Sequence, residues 1–162
     1  MPADATTAPA TPKLTVRCQF CLTWNRLDAA RVVDRPKCGR CAKPILLDRP
    51  LKLDDETFAR TVAESQVPVF VDFYADWCGP CKQMAPSVDA LAAKYTGKAI
   101  IAKLDTDHAQ VTAQRFGIRG IPTSIVFTAG KESARASGAL PLQRSLQRLT
   151  GDGRSGNAMQ RD

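Results

Sequence analysis

Residues 68–75, Pro68-Val-Phe-Val-Asp-Phe-Tyr-Ala75, are apolar at odd and even positions alike except for Asp72. That is the pattern of a central strand covered on both faces. Beyond it the period changes to that of a helix over 78–95, with Met84, Val88 and Leu91 as the buried stripe and a kink expected at Pro86. Residues 98–104 read as a strand, 108–116 as a short helix, and 123–128 and 131–137 as strands about an Ala129-Gly130 turn. An amphipathic helix over 141–149 closes the series. Upstream, Asp54 reads as a helix N-cap with Asp55 and Glu56 in the first turn, and Phe58 and Val62, four apart, face a core. Strands alternating with helices, then a strand pair, predict an α/β fold: a central mixed sheet sandwiched by helices.

The first third of the chain follows another rule. Residues 14–50 hold few large apolar side chains (Phe20, Trp24 and scattered Leu, Val and Ile), too few to stabilise so short a fold unaided. A bound metal would supply the missing stabilisation. The expected organisation is a lead-in over 1–13, a small metal module over 14–50, the main domain over 51–150 and a tail over 151–162. Both ends are expected to be disordered.

Among 162 residues, 44% hydrophobic and 24% charged is ordinary for a globular protein. No apolar run approaches the roughly 20 residues that span a bilayer, and the Ala-, Thr- and Pro-rich start lacks the build of a secretory signal. The expectation is a cytoplasmic protein without a membrane partner. Of the net charge of +7, residues 1–52 carry ten Lys/Arg against four Asp/Glu, and the remainder thirteen against twelve. Four thiolates and a divalent cation would lower the first balance from +6 to +4, a modest and local excess.

All six cysteines fall in Cys-x-x-Cys pairs. Cys78-Gly79-Pro80-Cys81 follows the central strand, so Cys78 lies at a helix start, where unpaired amides and the dipole stabilise a thiolate, and Cys81 lies one turn inside. Cys78 is then the attacking thiol and Cys81 the resolving one. Pro80 fixes the turn into the helix. As half of a metal site the pair would lack partners, because no cysteine follows and His108 is the sole histidine. Asp72, flanked on its face by Phe70 and Tyr74, is expected in a low-dielectric site with a raised pKa; the alternative is a solvated edge-strand carboxylate.

Trp77-Cys78-Gly79-Pro80-Cys81-Lys82 after a strand resembles the active site of the thioredoxin family, over about residues 53–150. The resemblance implies a thioredoxin fold and a protein-disulfide reductase recharged by thioredoxin reductase, acting on disulfide-containing substrate proteins without a bound organic cofactor. Asp72 matches the family's buried acid, which through a water would exchange the Cys81 proton, and Lys103 matches the lysine near it. Ile121-Pro122-Thr123 resembles the loop whose cis proline lies against the active site and whose preceding residue hydrogen-bonds substrate. Gly138 matches the glycine of the adjacent loop, which with Trp77 leaves a flat docking surface. From the residues alone, Lys103 could be merely exposed, Pro122 trans and Gly138 a turn glycine. Tyr74 departs from the family's usual tryptophan, and Ser137 from a common apolar residue.

Cys18-x-x-Cys21, sixteen residues, then Cys38-x-x-Cys41 has the spacing of a four-cysteine zinc ribbon holding one ion; mononuclear iron and a disulfide framework are the alternatives. Arg17, Lys37, Arg40 and Lys43 flank the pairs and would offset the charge of a tetrathiolate site. With this extension the resemblance reaches the thioredoxin 2 subgroup, over about residues 14–150. Two other functions stand beside reduction: an oxidation-responsive zinc sensor or chaperone-like binder, and a nucleic-acid or protein tether. Nucleic acid is the partner the thin aromatic content supports least.

Overall fold

A computed structural model describes residues 11–137 and 142–151; the lead-in over 1–10, Gly138 and the tail beyond 151 lie outside the described residues. Leu14 and Val16 alternate with polar neighbours along Lys13–Arg17 (β1), which pairs antiparallel with Trp24–Asp28 (β2). Lys13, placed at the end of the lead-in by its sequence, is thus the first residue of a strand, paired with Asp28. A 3-10 helix follows at Ala29–Asp34, capped by the Asp28 carboxylate, which accepts from the Ala30 amide.

Leu51–Leu53 (β3), too short for any periodicity to reveal, opens the main sheet. The next helix, Phe58–Glu64 (α1), begins later than its acidic start suggests. Asp54 and Thr57 first close a turn: the Asp54 carboxylate accepts from the Thr57 amide at 2.8 Å, and the Asp54 amide donates to the Thr57 hydroxyl at 2.9 Å. Asp55 serves another helix altogether, accepting from the Thr112 amide and hydroxyl at 2.8 and 2.7 Å.

Val69–Tyr74 (β4) is buried at every position, as its two-sided apolar pattern requires. Gly79–Lys94 (α2) runs as one helix with Pro86 inside it at an exposed position, while Val88, Leu91 and Ala92 bury the opposite face. Ile100–Asp105 (β5), Gln110–Arg115 (α3), Thr123–Thr128 (β6), Lys131–Ser137 (β7) and Gln143–Thr150 (α4) complete the chain. The sheet order is β3-β5-β4-β6-β7, with β3, β5 and β4 parallel and the last two joined antiparallel, so the sheet is mixed. Ala129 and Gly130, both at positive φ, turn β6 into β7.

One face of the sheet packs Phe70, Ile101 and Val126 against Val88, Leu91 and Tyr95 of the α2 segment and Leu146 of α4. The other packs Val69, Val71 and Phe73 against α1, where Phe58, Phe116 and Phe127 meet edge to face at 5.2–5.3 Å. The N-terminal module belongs to this second core. Leu14, Val16, Leu27, Val32, Ile45 and Leu47 form one continuous apolar cluster with Leu51, Phe58 and Val62. The seam is also hydrogen-bonded: Lys13 and Gln66 exchange two bonds at 2.7 and 2.8 Å, and the Thr15 amide donates to the Ser65 hydroxyl at 3.2 Å. Arg17 reaches Glu56 at 3.2 Å, and the Arg60 guanidinium lies 4.5 Å from the Trp24 ring centroid.

Gly97 marks the same seam. Its φ is +79°, and a Cβ built there would stand 2.7 Å from the Ala29 carbonyl oxygen. Gly97→Ala is therefore expected to destabilise the whole chain by about 2 kcal/mol, read as a lower urea midpoint at unchanged slope. A wild-type midpoint would mean that the seam opens freely.

Candidate functional site

Two sites, at different levels of the molecule, gather the chemistry. At the end of β4 the chain turns through Trp77 into α2, and Cys78 occupies the N-cap in extended conformation. Its sulfur accepts from the Cys81 amide at 3.2 Å, the arrangement by which a helix start favours a thiolate. In the structure Cys78 and Cys81 are joined as a disulfide, buried at the mouth of a small cluster with Tyr74 and Ala75. Pro80 stands in the first turn, where its missing N–H costs nothing. Gly79 is exposed, with nothing within 4 Å of where its Cβ would be, so the space beside the disulfide is open.

The Ile121–Pro122 bond is cis, and the Ile121 carbonyl oxygen lies 3.9 Å from the Cys78 sulfur. The expected neighbours Cys78, Ile121 and Pro122 are thus brought together. Trp77 is 70% exposed, and its indole N–H donates to Asp107 at 2.9 Å. Asp107 was not legible from sequence, because nothing in Asp105-Thr-Asp107 distinguishes one acid from the other. The first of the two, Asp105, holds His108, whose Nδ1 lies 2.8 Å from its carboxylate. That contact, then the Asp105 charge itself, raises the His108 pKa.

Asp72 is 1% exposed, on the same face of β4 as Phe70, which packs against α2. Burial pushes its carboxyl up to about 6, against the opposing pull of the Lys103 charge. Lys103 sits directly across the parallel ladder from Asp72, its ammonium 4.7 Å from the Tyr74 ring centroid. Tyr74, in place of a tryptophan, thus gives that cation an aromatic face.

Because the folded chain holds the Asp72 proton more tightly than the unfolded chain, this group's contribution to stability is whole below about pH 4. It is lost as pH rises through about 6. The two-unit difference corresponds to about 3 kcal/mol. Asp72→Asn is expected to raise stability near pH 7 by up to about that amount and to change it little at pH 4. Urea unfolding at both pH values checks it, and an equal change at the two would contradict burial of the charge.

The second site is built by the N-terminal module. Its two cysteine turns repeat one geometry: Leu22 donates its amide to the Cys18 carbonyl and Ala42 to that of Cys38, with both donors at positive φ. Each turn also aims an amide at its first sulfur, Phe20 to Cys18 at 3.4 Å and Arg40 to Cys38 at 3.5 Å. The four sulfurs lie within 4.8 Å of one another, with Cys18–Cys41 at 3.7 Å and Cys21–Cys38 at 3.6 Å. Sulfurs about 2.3 Å from a shared tetrahedral zinc stand about 3.8 Å apart, so the set fits that ion.

Electrostatics points the same way. The Cys41 and Arg40 amides and the Asn25 side chain bring Cys38 down to about 6. Cys41, though helped by the Lys43 amide, is driven up to about 11 by burial and the three neighbouring thiols. Four thiols so close cannot all ionise without a cation among them.

Asn25, which sequence reasoning passed over, ties the module together. Its Nδ2 donates to the Thr23 carbonyl at 3.0 Å and to Cys38 Sγ at 3.5 Å, and its Oδ1 accepts from the Gly39 amide at 3.0 Å. Of the expected flanking cations, Arg17 pairs with Glu56, and Lys43 lies 4.4 Å from the Phe20 ring centroid. Gly138 falls outside the described residues.

The family model described as Thioredoxin matches residues 49–150, nearly two thirds of the chain. The chain belongs to the thioredoxin family. A second model, Thioredoxin 2, N-terminal, matches residues 17–43, which places this thioredoxin in the subgroup with a zinc-binding extension. Chloroplastic thioredoxin M-type of Chlamydomonas reinhardtii is 48% identical over 122 residues, covering 74% of this chain and 87% of that one. Thioredoxin C-3 of Corynebacterium nephridii is 37% identical over 123 residues, 76% and 84% of the two chains. Among solved structures, thioredoxin F from spinach chloroplast (long form) aligns with a TM-score of 0.59 at 30% identity, over 64% of this chain and 88% of that chain. Like its relatives, this thioredoxin is a thiol–disulfide oxidoreductase. No helix among its described residues is long and apolar enough to cross a membrane.

Proposed function

We propose that the protein is a cytosolic protein-disulfide reductase whose exchange runs through Cys78 and Cys81. The observation that carries it is Cys78 at the N-cap of α2, one turn before Cys81 and joined to it, with the cis Ile121–Pro122 bond alongside. In the reduced protein the Cys78 thiolate attacks a substrate disulfide, displacing one substrate sulfur as a thiolate. Cys81, passing its proton toward Asp72, then attacks the Cys78 sulfur. The second substrate thiol leaves, and the Cys78–Cys81 disulfide remains. Lys103 tempers the Asp72 charge, and Ile121 offers its carbonyl beside the sulfur to an extended substrate segment. Trp77, Gly79 and Pro80 would line the docking face. Thioredoxin reductase would return the two electrons. Turnover of insulin disulfides by the reduced protein, with bound zinc quantified alongside, tests the reading.

Cys18, Cys21, Cys38 and Cys41 would hold one zinc ion, which supplies cross-linking charge neutralisation rather than catalysis, since four thiolates leave no open position. A second reading, oxidation-responsive loss of that ion, is favoured by the partial exposure of Cys21 and Cys41. A peroxide titration that leaves zinc bound long after Cys78 and Cys81 are oxidised would count against it. Base stacking on the module is disfavoured by Lys43 and Arg60, which cover faces of Phe20 and Trp24.

A further inference from the structure

Ser124 is a polar residue where the fold calls for an apolar one. It lies inside β6, wholly buried, on the α2 side of the sheet, where its same-face neighbour Val126 packs with Phe70, Val88 and Leu146. Among the described residues its hydroxyl has no hydrogen-bond partner, and neither do the two carboxylate oxygens of Asp72. An unpaired buried hydroxyl costs about 1–3 kcal/mol, and an unpaired carboxylate more, so two such groups in one core layer need a common explanation. The sheet register provides it: Asp72 on β4 stands directly opposite Ser124 on the antiparallel β6. Side chains so placed have Cβ atoms about 5 Å apart, close enough for a serine hydroxyl to reach a carboxylate by rotation about one bond.

We propose that Ser124 is a positioning residue for the exchange reaction, its hydroxyl donating to the Asp72 carboxylate and thereby favouring the ionised form that receives the Cys81 proton. The inference rests on the reductase reading above. Asp72 then has a cation on one flank, Lys103 across the β5 ladder, and a neutral donor on the other. The other ionisable groups facing this layer are Tyr74 on its own strand, which also feels Asp76 and Asp105, Cys81 from α2, packed against Tyr74, and Tyr95 at the end of α2. None of these donates to the carboxylate. The proton balance is simple: Cys81 loses one, Asp72 gains it, and the hydroxyl keeps its own throughout.

The test is the carbon-13 titration of the Asp72 carboxyl, together with the pH profile of insulin reduction, in wild type, Ser124→Ala, Ser124→Thr and Asp72→Asn. Losing the donor disfavours the charged form, so Ser124→Ala is expected to move the Asp72 midpoint and the acid limb of the rate upward by about one pH unit. That would lower turnover near pH 6 about fivefold and leave it unchanged above about pH 8. Threonine, which keeps the hydroxyl and suits a strand, is expected to follow wild type. Alanine and threonine variants that both titrate like wild type, or that shift together, overturn the proposal. An acid limb that survives in Asp72→Asn overturns it along with the role of Asp72, while loss of insulin turnover in wild type would strike at the reductase reading itself.

Discussion

Cys78→Ser is expected to lower insulin-disulfide reduction by more than about a thousandfold, because no other thiol of the redox site can begin the exchange. A serine at the N-cap keeps the acceptor for the Cys81 amide, so the helix start survives and the loss reports on chemistry alone. Cys81→Ser should fail differently. Cys78 can still attack, displacing one substrate sulfur, but nothing resolves the product, and the protein accumulates as a covalent mixed disulfide visible by mass spectrometry and released by dithiothreitol. If Cys81→Ser turned over freely, the resolving role would fall. If Cys78→Ser did, the first attack would have to be sought elsewhere.

Removing the metal is expected to have the largest effect on stability. The module has no core of its own: Leu14, Val16, Leu27 and Val32 bury themselves only in the cluster that also holds Phe58 and Val62. Between the cysteine turns, the link made by one residue, Asn25, is tied to the Cys38 sulfur and the Gly39 amide. Without a cation the four sulfurs repel on ionisation, the turns separate and the apolar side of α1 is uncovered. Chelation, or Cys38→Ser, is therefore expected to lower the melting temperature by about 10 °C or more, at about 2–4 °C per kcal/mol for a chain of this size. Differential scanning calorimetry of zinc-loaded and chelated protein decides it. An unchanged main transition would make the module a dispensable appendage.

What the sequence disclosed and what it withheld divide along contact distance. The Trp77–Lys82 motif, the cysteine spacings and the burial of Asp72 between Phe70 and Tyr74 are local signals, and each could be read from a few neighbouring letters. The alternation of Leu14 and Val16 is equally local but sits within a segment dominated by its cysteines, which mask the β1–β2 hairpin. Sequence alone groups Asp55 with the helix that follows it, because its true partner, Thr112, is 57 residues away. Ser124 gave no sign in Thr123-Ser-Ile125; its significance comes entirely from a strand partner 52 positions earlier. The intimacy of the module with α1 was hidden for the same reason, since spacing tells which cysteines share an ion but not which helix they lean on.

The two margins of the main sheet also differ from its middle. One is β3, three residues long; the other is β7, exposed for most of its length, bearing Lys131, Glu132 and Arg135 and bulged where β6 passes from Val126 to Phe127. An unfolded chain in search of a ladder to join would have to pair with one of these two borders. Short, charged and irregular borders offer it no template. The sheet is thereby kept from lengthening itself by pairing edge to edge with a second copy or with any unfolded chain.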